Sequence, residues 1–379
     1  MTTAAQITPS SGDEDEVPVS RVSNGDPSST PTYTIIQADG LYPDSTLEDQ
    51  IFTDSPTHKY RIKYLQTNLW PPGTPNMKPW SSISEDLRHQ VNGILDLKLP
   101  FTAEDVKLFP NLKVFIRMGV GYDRLDRPAL DAAGVTVCNV PDYGTNEIAD
   151  HALALTLALR RGVLLHNERQ RQPYVDPWMY IDTPLVARLQ QKTFSILGLG
   201  RIGSAAALRA KAFGFNVLFY DPYVPNGTDK SFQIERTKVI KELFRRANVL
   251  SIHCPCTRET RGFIDYDLLS LMPKGSVLVN TARGEVLQLD AVERALKENI
   301  LAGAGLDVLP EEPIPEPAHS LIRAYRKKEE WLQGRMVLTC HTAFYSPESF
   351  VDIRVKSAET MRNVLIDGGK DNVITVDME

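Results

Sequence analysis

A chain of 379 residues in which 42% are hydrophobic and 24% are charged is globular and long enough for two domains of ordinary size. Its formal net charge of −6, without a long basic run, argues against direct nucleic-acid binding through a broad basic face. Its four cysteines, Cys138, Cys254, Cys256 and Cys340, lack the pattern of a disulfide framework or a zinc site, so we expect reduced thiols, a cytoplasmic protein and no metal.

Residues 1–31 form a segment rich in Ser, Thr, Pro, Asp and Glu. The segment lacks the apolar centre of a signal peptide and carries more acids than bases, unlike a mitochondrial presequence, so it predicts a disordered tail. The most apolar stretch, 148–165, has its longest uncharged run at 152–159, far short of the roughly twenty residues that cross a bilayer. We therefore expect no membrane association and interpret this stretch as a buried helix that could lie at a subunit interface.

Short apolar strands alternate with helices from residue 34 onward. The first series of predicted strands comprises 34–37, 62–66, 93–97, 114–117 and 135–140. Ser84 and Thr102 have the character of helix caps, and Asp105 completes a capping-box variant with Thr102. This alternation predicts a parallel sheet with helices on both faces.

A second series begins at Thr193 and predicts a complete doubly wound domain. Its six predicted strands are 193–197, 216–220, 249–253, 276–280, 302–306 and 336–339. Residues 310–334, before the last strand, predict a surface loop and a short charged helix around 324–330. The last residues, with a helix at 347–367 and an apolar stretch at 373–376, are too few for a third domain, so we expect them to return to the first.

The predicted fold class is therefore α/β with two doubly wound parallel-sheet domains. A Rossmann domain at 146–344 is inserted into a flavodoxin-like domain that combines 32–145 and 345–379. Ligands of such folds bind outside the carboxyl ends of the strands.

A glycine-rich turn follows the first strand of the second series. Three glycines have the G-x-G-x-x-G spacing that allows a tight turn, close approach of a pyrophosphate and close packing of helix on strand. An acid at the end of the next strand would bind a ribose diol and repel a 2′-phosphate, and the six residues after it include no Lys or Arg. The turn thus predicts NAD rather than NADP. The cofactor-binding residues predicted here are Gly198, Gly200, Arg201, Ile202, Gly203 and Asp221.

Four polar side chains follow later strands of the second series: Arg283, Asp307, Glu312 and His341. An arginine can hold a carboxylate in a bidentate pair, and an imidazole can exchange a proton with an alkoxide. A nearby carboxylate favours the imidazolium and fixes the orientation of the ring. The set suits hydride transfer coupled to proton transfer, with Arg283, Glu312 and His341 as the catalytic residues.

Each catalytic candidate also has a plainer interpretation. His341 could be a packed histidine, Glu312 a solvated loop acid and Arg283 a salt-bridge partner at a helix start. The turn Gly119-Val120-Gly121 could offer backbone N–H groups to a carboxylate, with added charge from Arg117, or could simply lead from strand to helix.

The remaining candidates are given no catalytic role. Tyr122 and Asp123 are interpreted as structural. The other histidines show no comparable partners in the sequence; they are His58, His89, His151, His166 and His319.

Together these motifs resemble the D-isomer-specific 2-hydroxyacid dehydrogenases over residues 33–378. The matching stretches are 118–123, 198–203, 220–222, 253–255, 279–284, 305–308 and 341–343. The resemblance implies a homodimer built on the NAD-binding domains, with Arg283 binding the substrate carboxylate, His341 as acid–base and Glu312 as its partner. The further cofactor contacts it implies are His253, Cys254, Pro255, Thr281, Ala282, Arg283, Asp307 and His341. The substrate contacts it implies are Arg117, Val120, Gly121, Arg283 and Phe344.

Within that family, 117–119 and 341–346 resemble the branch of the C-terminal-binding-protein corepressors. Phe344 stands where that branch often has Trp, and Cys340 where the family commonly has Pro.

Two hypotheses of different classes follow. The first is an NAD-dependent enzyme that interconverts a small 2-oxo acid and a D-2-hydroxy acid. The second is an NAD(H)-gated transcriptional corepressor or scaffold, which would place the protein in the nucleus. The sequence has no nuclear-localisation run, which counts against the second, and nothing in it specifically indicates phosphite oxidation by the same architecture.

Overall fold

The structure is a computed structural model of the whole chain. It describes residues 31–40, 42, 44–53, 60–71, 74, 76–171 and 178–376. The predicted tail at 1–31 lies outside the described residues, except for Pro31, and so does His58.

The first half of the chain forms a five-stranded parallel sheet. Its strands are β1 (Thr32–Gln37), β2 (Arg61–Gln66), β3 (Val91–Asp96), β4 (Val114–Arg117) and β5 (Thr136–Asn139). They lie in the order β2-β1-β3-β4-β5, which is the flavodoxin-like order with one chain reversal at β1/β3. The accompanying helices are α1 (Thr46–Thr53), α2 (Glu85–Arg88), α3 (Ala103–Val106) and α4 (Arg127–Ala132).

One of the two predicted helix caps is confirmed. The Thr102 side chain accepts a hydrogen bond from the backbone of Asp105, whose carboxylate accepts one in return from the Thr102 backbone. Ser84 stands at the start of α2 but its side chain makes no capping hydrogen bond there, so that part of the prediction is wrong.

The apolar stretch at 148–165 folds as two helices rather than one. They are α5 (Thr145–Arg160) and α6 (Val163–Gln170). Gly162 separates them with φ +60°, a left-handed conformation that glycine adopts without strain. Only α5 is deeply buried, through side chains such as Leu153 and Leu159. No helix within the described ranges combines the length and the apolarity that a bilayer crossing requires.

The second half forms a seven-stranded parallel sheet. Its strands are β6 (Thr193–Leu197), β7 (Asn216–Tyr220), β8 (Glu235–Arg236), β9 (Val249–Ile252), β10 (Ser276–Asn280), β11 (Leu301–Leu306) and β12 (Met336–Leu338). The order β12-β11-β10-β9-β6-β7-β8 contains the Rossmann order, and the chain reverses between β6 and β9. The helices are α7 (Arg201–Ala212), α8 (Thr228–Phe232), α9 (Ile240–Arg246), α10 (Tyr266–Leu269), α11 (Leu289–Lys297) and α12 (Ser320–Arg326).

Two predictions for this sheet are corrected. The predicted six strands omit β8, because this two-residue edge strand is polar and carries no hydrophobic alternation. The charged helix expected around 324–330 is α12, which begins four residues earlier. The His319 ring accepts a hydrogen bond from the backbone of Leu321 and so starts the helix, which then buries Leu321 and Ile322.

The last helix, α13 (Pro347–Leu365), packs against β3, β4 and α1, so the chain returns to the first sheet as expected. The Arg354 guanidinium on α13 pairs with the fully buried Glu48 carboxylate on α1 at 2.7 Å and lies 4.0 Å from the ring centroid of Tyr42. The backbone of Ile374 then donates to the carbonyl of Val137 on β5 at 2.8 Å. The two parallel α/β sheets confirm the predicted fold class.

Candidate active site

The glycine turn lies where the second sheet reverses its strand order, the position at which open α/β sheets bind ligands. Gly198 has φ +90°, and a Cβ on it would lie 2.8 Å from the backbone nitrogen of Cys254 after β9. A Cβ on Gly203 would lie 2.1 Å from the carbonyl oxygen of Gly198, so helix and strand pack too closely for any side chain. Gly200 has open space around it and is the residue from which α7 begins. The N–H groups of the first turn of α7 are thereby left to an anion such as a pyrophosphate.

Asp221 is held beside this turn by two backbone groups. One carboxylate oxygen accepts from the Leu199 N–H at 2.8 Å, and the other accepts from the Tyr223 N–H at 2.9 Å. The sequence did not reveal that a cation, Arg236 of β8, lies next to it. Nη2 of that guanidinium donates hydrogen bonds to the backbone carbonyl oxygens of Asp221 at 2.7 Å and Val224 at 3.1 Å. The arrangement therefore keeps a negative charge at the end of β7 and fits a ribose diol better than a 2′-phosphate.

Two further groups of predicted cofactor residues follow β9 and β10; they are 253–255 and 281–283. The His253 ring is hydrogen-bonded to the Ser251 hydroxyl at 2.8 Å, and burial lowers its pKa to about 4, so it is neutral. The Thr281 hydroxyl is buried and has no hydrogen-bond partner among the described residues. An orphaned buried hydroxyl beside an open glycine turn fits a polar ligand such as the NAD for which the turn is suited.

Arg283 follows β10 and reaches across to the first sheet. Its Nε donates to Oδ1 of Asp123 at 2.9 Å, and its Nη1 donates to the Ala282 carbonyl at 2.8 Å. Burial acts to lower the pKa of Arg283, but Asp123 outweighs that effect and raises it above the ordinary value. Its Nη2 packs so closely on Gly121 that a Cβ there would lie 1.6 Å away. Arg283 is thus a charged group fixed between the two sheets. It is also a salt-bridge partner at a helix start, because it pairs with Asp123 and immediately precedes the short 3₁₀ helix Gly284–Val286.

Glu312 and His341 form the second part of the site. Oε2 of Glu312 lies 2.7 Å from Nδ1 of His341, and Oε1 accepts from the Leu309 N–H at 2.9 Å. Burial would raise the pKa of Glu312, but the His341 hydrogen bond and charge, the Leu309 N–H and Arg124 together lower it. Glu312 is therefore an ionised partner of a histidine rather than a solvated loop acid.

The loop that carries His341 is anchored by Asp307 at the end of β11. The Asp307 carbonyl accepts from the His341 N–H at 2.7 Å, and its carboxylate accepts from the Thr342 N–H at 2.9 Å and the Ala343 N–H at 3.0 Å. His341 itself adopts φ +51°, a left-handed conformation that is uncommon for a side chain of this size. Such a conformation persists only where the surroundings enforce it, as this buried carboxylate does.

The first sheet contributes the remaining predicted substrate contacts. Nη1 of Arg117 donates to the Met118 carbonyl at 2.7 Å, and burial together with the charge of Arg283 lowers its pKa. The Val120 carbonyl accepts from the Asn139 amide at 2.8 Å, which fixes the turn. The Phe344 ring centroid lies 6.5 Å from that of the His341 ring. Two neighbouring guanidinium groups suit an anionic ligand.

Sequence reasoning missed three contributors. Asp123, interpreted as structural, is the ion-pair partner of Arg283, and its neighbour Arg124 lies 3.6 Å from Oε2 of Glu312. Nε2 of His151 on α5 lies 3.1 Å from the Thr339 hydroxyl, which donates to the Asp307 carboxylate at 2.6 Å. Their partners are more than a hundred residues away, so local sequence could not pair them. The expectation that other histidines lack partners is also wrong for His319, which lies 2.9 Å from a carboxylate oxygen of Asp290.

The part of the chain that carries this site is similar to proteins of one known family. Residues 153–343 match the family model "D-isomer specific 2-hydroxyacid dehydrogenase, NAD binding domain". A D-3-phosphoglycerate dehydrogenase from Methanocaldococcus jannaschii is 36% identical over 218 residues, or 56% of this chain. C-terminal-binding protein 1 from Caenorhabditis elegans is 31% identical over 288 residues, or 74% of this chain. The chain spans only 40% and 38% of the length of these two relatives.

Solved structures show the same fold over nearly the whole chain. A D-lactate dehydrogenase from Aquifex aeolicus, crystallised with NAD and lactic acid, superposes with a TM-score of 0.72 at 26% identity. The superposition covers 90% of this chain and 98% of that one. With the family match and the strand orders, it confirms the expected resemblance and an NAD-binding Rossmann domain. The chain belongs to the D-isomer-specific 2-hydroxyacid dehydrogenase family.

Proposed function

We propose that this protein is an NAD-dependent enzyme that interconverts a small 2-oxo acid and a D-2-hydroxy acid. The observation that carries the proposal is the 2.7 Å contact between Glu312 and His341, beside a guanidinium that projects from the neighbouring strand end. Bound NAD(H) supplies the hydride acceptor or donor for such a reaction. The protein supplies a carboxylate-binding group and a proton.

His341 exchanges the substrate proton through Nε2, because Nδ1 faces Glu312. The ionised Glu312 favours the protonated ring and fixes its orientation, which suits an acid in the reduction direction and a base in the reverse one. Arg283 binds the substrate carboxylate and polarises the adjacent carbonyl. The backbone of Val120 and Gly121, with Arg117 and Phe344, completes the substrate pocket.

The proposal includes the division of the chain into a substrate domain of 32–145 and 345–379 and an NAD-binding domain of 146–344. The contacts of α13 with β3 and β4 support it. It also includes a homodimer built on the NAD-binding domains. Exposed apolar side chains in and after α6 support such an interface; among them Val163, Trp178 and Tyr180 are 54%, 86% and 75% exposed.

The test is a panel of small 2-oxo acids with NADH, followed by the loss of NADH absorbance, with NADPH as a control. We expect turnover of at least one acid. His341→Ala should lower kcat about 10³-fold while NADH binding, measured by fluorescence, stays unchanged. Equal turnover by the variant and the parent would rule out this mechanism.

A second function has one specific observation in its favour, the 31% identity to C-terminal-binding protein 1 over 74% of this chain. In this alternative, NAD(H) closes the two domains and creates a docking surface for a transcriptional partner. A pull-down at fixed NADH, run beside the substrate panel, separates the two functions. Inactivity on every acid together with NADH-dependent capture of a defined corepressor ligand would favour the scaffold.

A further inference from the structure

Two adjacent residues of opposite charge contact the two oppositely charged groups of the proposed catalytic set. Asp123 and Arg124 follow β4 in the first sheet, whereas Arg283 and Glu312 follow β10 and β11 in the second. The acid pairs with Arg283 at 2.9 Å, and the base lies 3.6 Å from Glu312. Each of these two adjacent residues of the first sheet thus contacts an oppositely charged residue of the second sheet.

The contact with Asp123 leaves one edge of Arg283 available. A guanidinium has five N–H donors, of which Nε and one on Nη1 are engaged by Asp123 and the Ala282 carbonyl. The edge formed by Nη1 and Nη2 keeps donors for a planar carboxylate, the geometry that Arg binds in a bidentate pair. Asp123 therefore orients Arg283 for an anion instead of competing with that anion.

The contact with Arg124 acts on the other half of the set. Oε2 of Glu312 faces both Nδ1 of His341 and Nη2 of Arg124, so one carboxylate oxygen is shared by an imidazole and a guanidinium. Arg124 is held in place by a second bond, from its Nη1 to the Lys98 carbonyl at 2.9 Å. A fixed guanidinium beside this shared oxygen keeps the Glu312 carboxylate where it contacts the imidazole.

We infer that Asp123 and Arg124 are positioning residues that form a charge-matched pair across the two sheets, in which Asp123 orients Arg283 for the substrate carboxylate and Arg124 holds the Glu312 carboxylate against His341. The inference deepens the proposed function and rests on it for the substrate arm.

The Arg124 arm is tested with Arg124→Gln, which removes the charge, and Arg124→Lys, which keeps it. The Arg124 side chain is 37% exposed, so neither change should disturb folding. For 2-oxo acid reduction, we expect kcat to fall about tenfold in Arg124→Gln with little change in KM, because Glu312 is no longer held against His341. It should be restored in Arg124→Lys and unchanged in the control Arg245→Gln, a surface ion-pair variant on α9, which packs against β6 and β7. A kcat that does not fall in Arg124→Gln, or that falls equally in Arg124→Lys, overturns the inference.

A second measurement does not depend on turnover. The resonances of the His341 ring, followed by NMR in protein saturated with NAD⁺ and assigned with His341→Ala, should move in Arg124→Gln and stay in place in Arg124→Lys. If no acid is reduced, the proposed function fails while these resonances still decide the Arg124 arm. Resonances that do not move in Arg124→Gln would refute that arm even in an active enzyme.

The Asp123 arm is tested with Asp123→Asn. We expect the KM for the 2-oxo acid to rise about tenfold, with a smaller change in kcat and an unchanged Kd for NADH, because the carboxylate-binding edge of Arg283 is no longer held in position. A lowered KM would mean that Asp123 competes with the substrate, and an unchanged KM would mean that it has no part in orienting Arg283. Either result would refute this arm.

Discussion

Replacing Gly121 by alanine would place a methyl group where the guanidinium of Arg283 now lies. An ideal Cβ at Gly121 lies 1.6 Å from Nη2 and 2.5 Å from Cζ of Arg283, and 2.9 Å from Oδ1 of Asp123. Ordinary van der Waals contact begins at 3.4 Å, so the guanidinium has to retreat by about 2 Å. The Gly121 backbone does not have a positive φ and tolerates alanine by itself, so the effect of the substitution passes through Arg283.

A retreat of this size breaks the 2.9 Å bond between Nε and Asp123 and turns the carboxylate-binding edge away from the cleft. Because a misplacement of about 1 Å can cost about 10²-fold in rate, we expect kcat/KM for the 2-oxo acid to fall about 10²-fold. That loss corresponds to about 3 kcal/mol of transition-state stabilisation. The Kd for NADH should change less than about twofold, which corresponds to less than about 0.5 kcal/mol of binding free energy.

The assay is a double-mutant cycle with Arg283→Ala, using initial rates on the best acid of the panel. If Gly121 acts through Arg283, the double variant should be no worse than Arg283→Ala alone, because the guanidinium that the methyl group displaces is already gone. Wild-type kcat/KM in Gly121→Ala would refute the argument. So would losses that multiply in the double variant, since they would assign Gly121 an independent role.

Three further predictions concern the acid–base pair, the choice of cofactor and the stability of the fold. Glu312→Gln removes the ionised carboxylate that contacts Nδ1 of His341 at 2.7 Å, so kcat for 2-oxo acid reduction should fall about 10²-fold while the Kd for NADH changes little. An unchanged kcat would show that Glu312 only packs. Asp221→Asn keeps one of the two backbone acceptors and removes the charge that repels a 2′-phosphate, so the ratio of kcat/KM for NADH over NADPH should fall about tenfold, and an unchanged ratio would contradict this assignment. Glu48→Gln leaves the Arg354 charge without its buried partner and should lower the free energy of unfolding by about 3 kcal/mol in urea titrations, whereas a loss below about 1 kcal/mol would place the pair among weak surface bridges.

The strands and the cofactor turn could be predicted because their signals are local. Every strand except β8 lies within two residues of its expected bounds, since each is a short apolar run between polar or glycine-rich turns. The spacing of Gly198, Gly200 and Gly203 and the acid at Asp221 likewise lie within one strand–helix–strand unit. The start of α12 was missed although its cap is local, because histidine is not among the preferred N-cap residues.

The sequence by itself determined the fold class, the cofactor turn and the identity of the polar residues at the strand ends, because hydrophobic periodicity and turn chemistry act over a few residues. Only the tertiary structure decided which charges meet. It brought Asp123 to Arg283 and Arg124 to Glu312 across two sheets, although 160 positions separate the first pair in the chain. An ion pair depends on separation in space, and sequence distance carries no such information until the chain has packed.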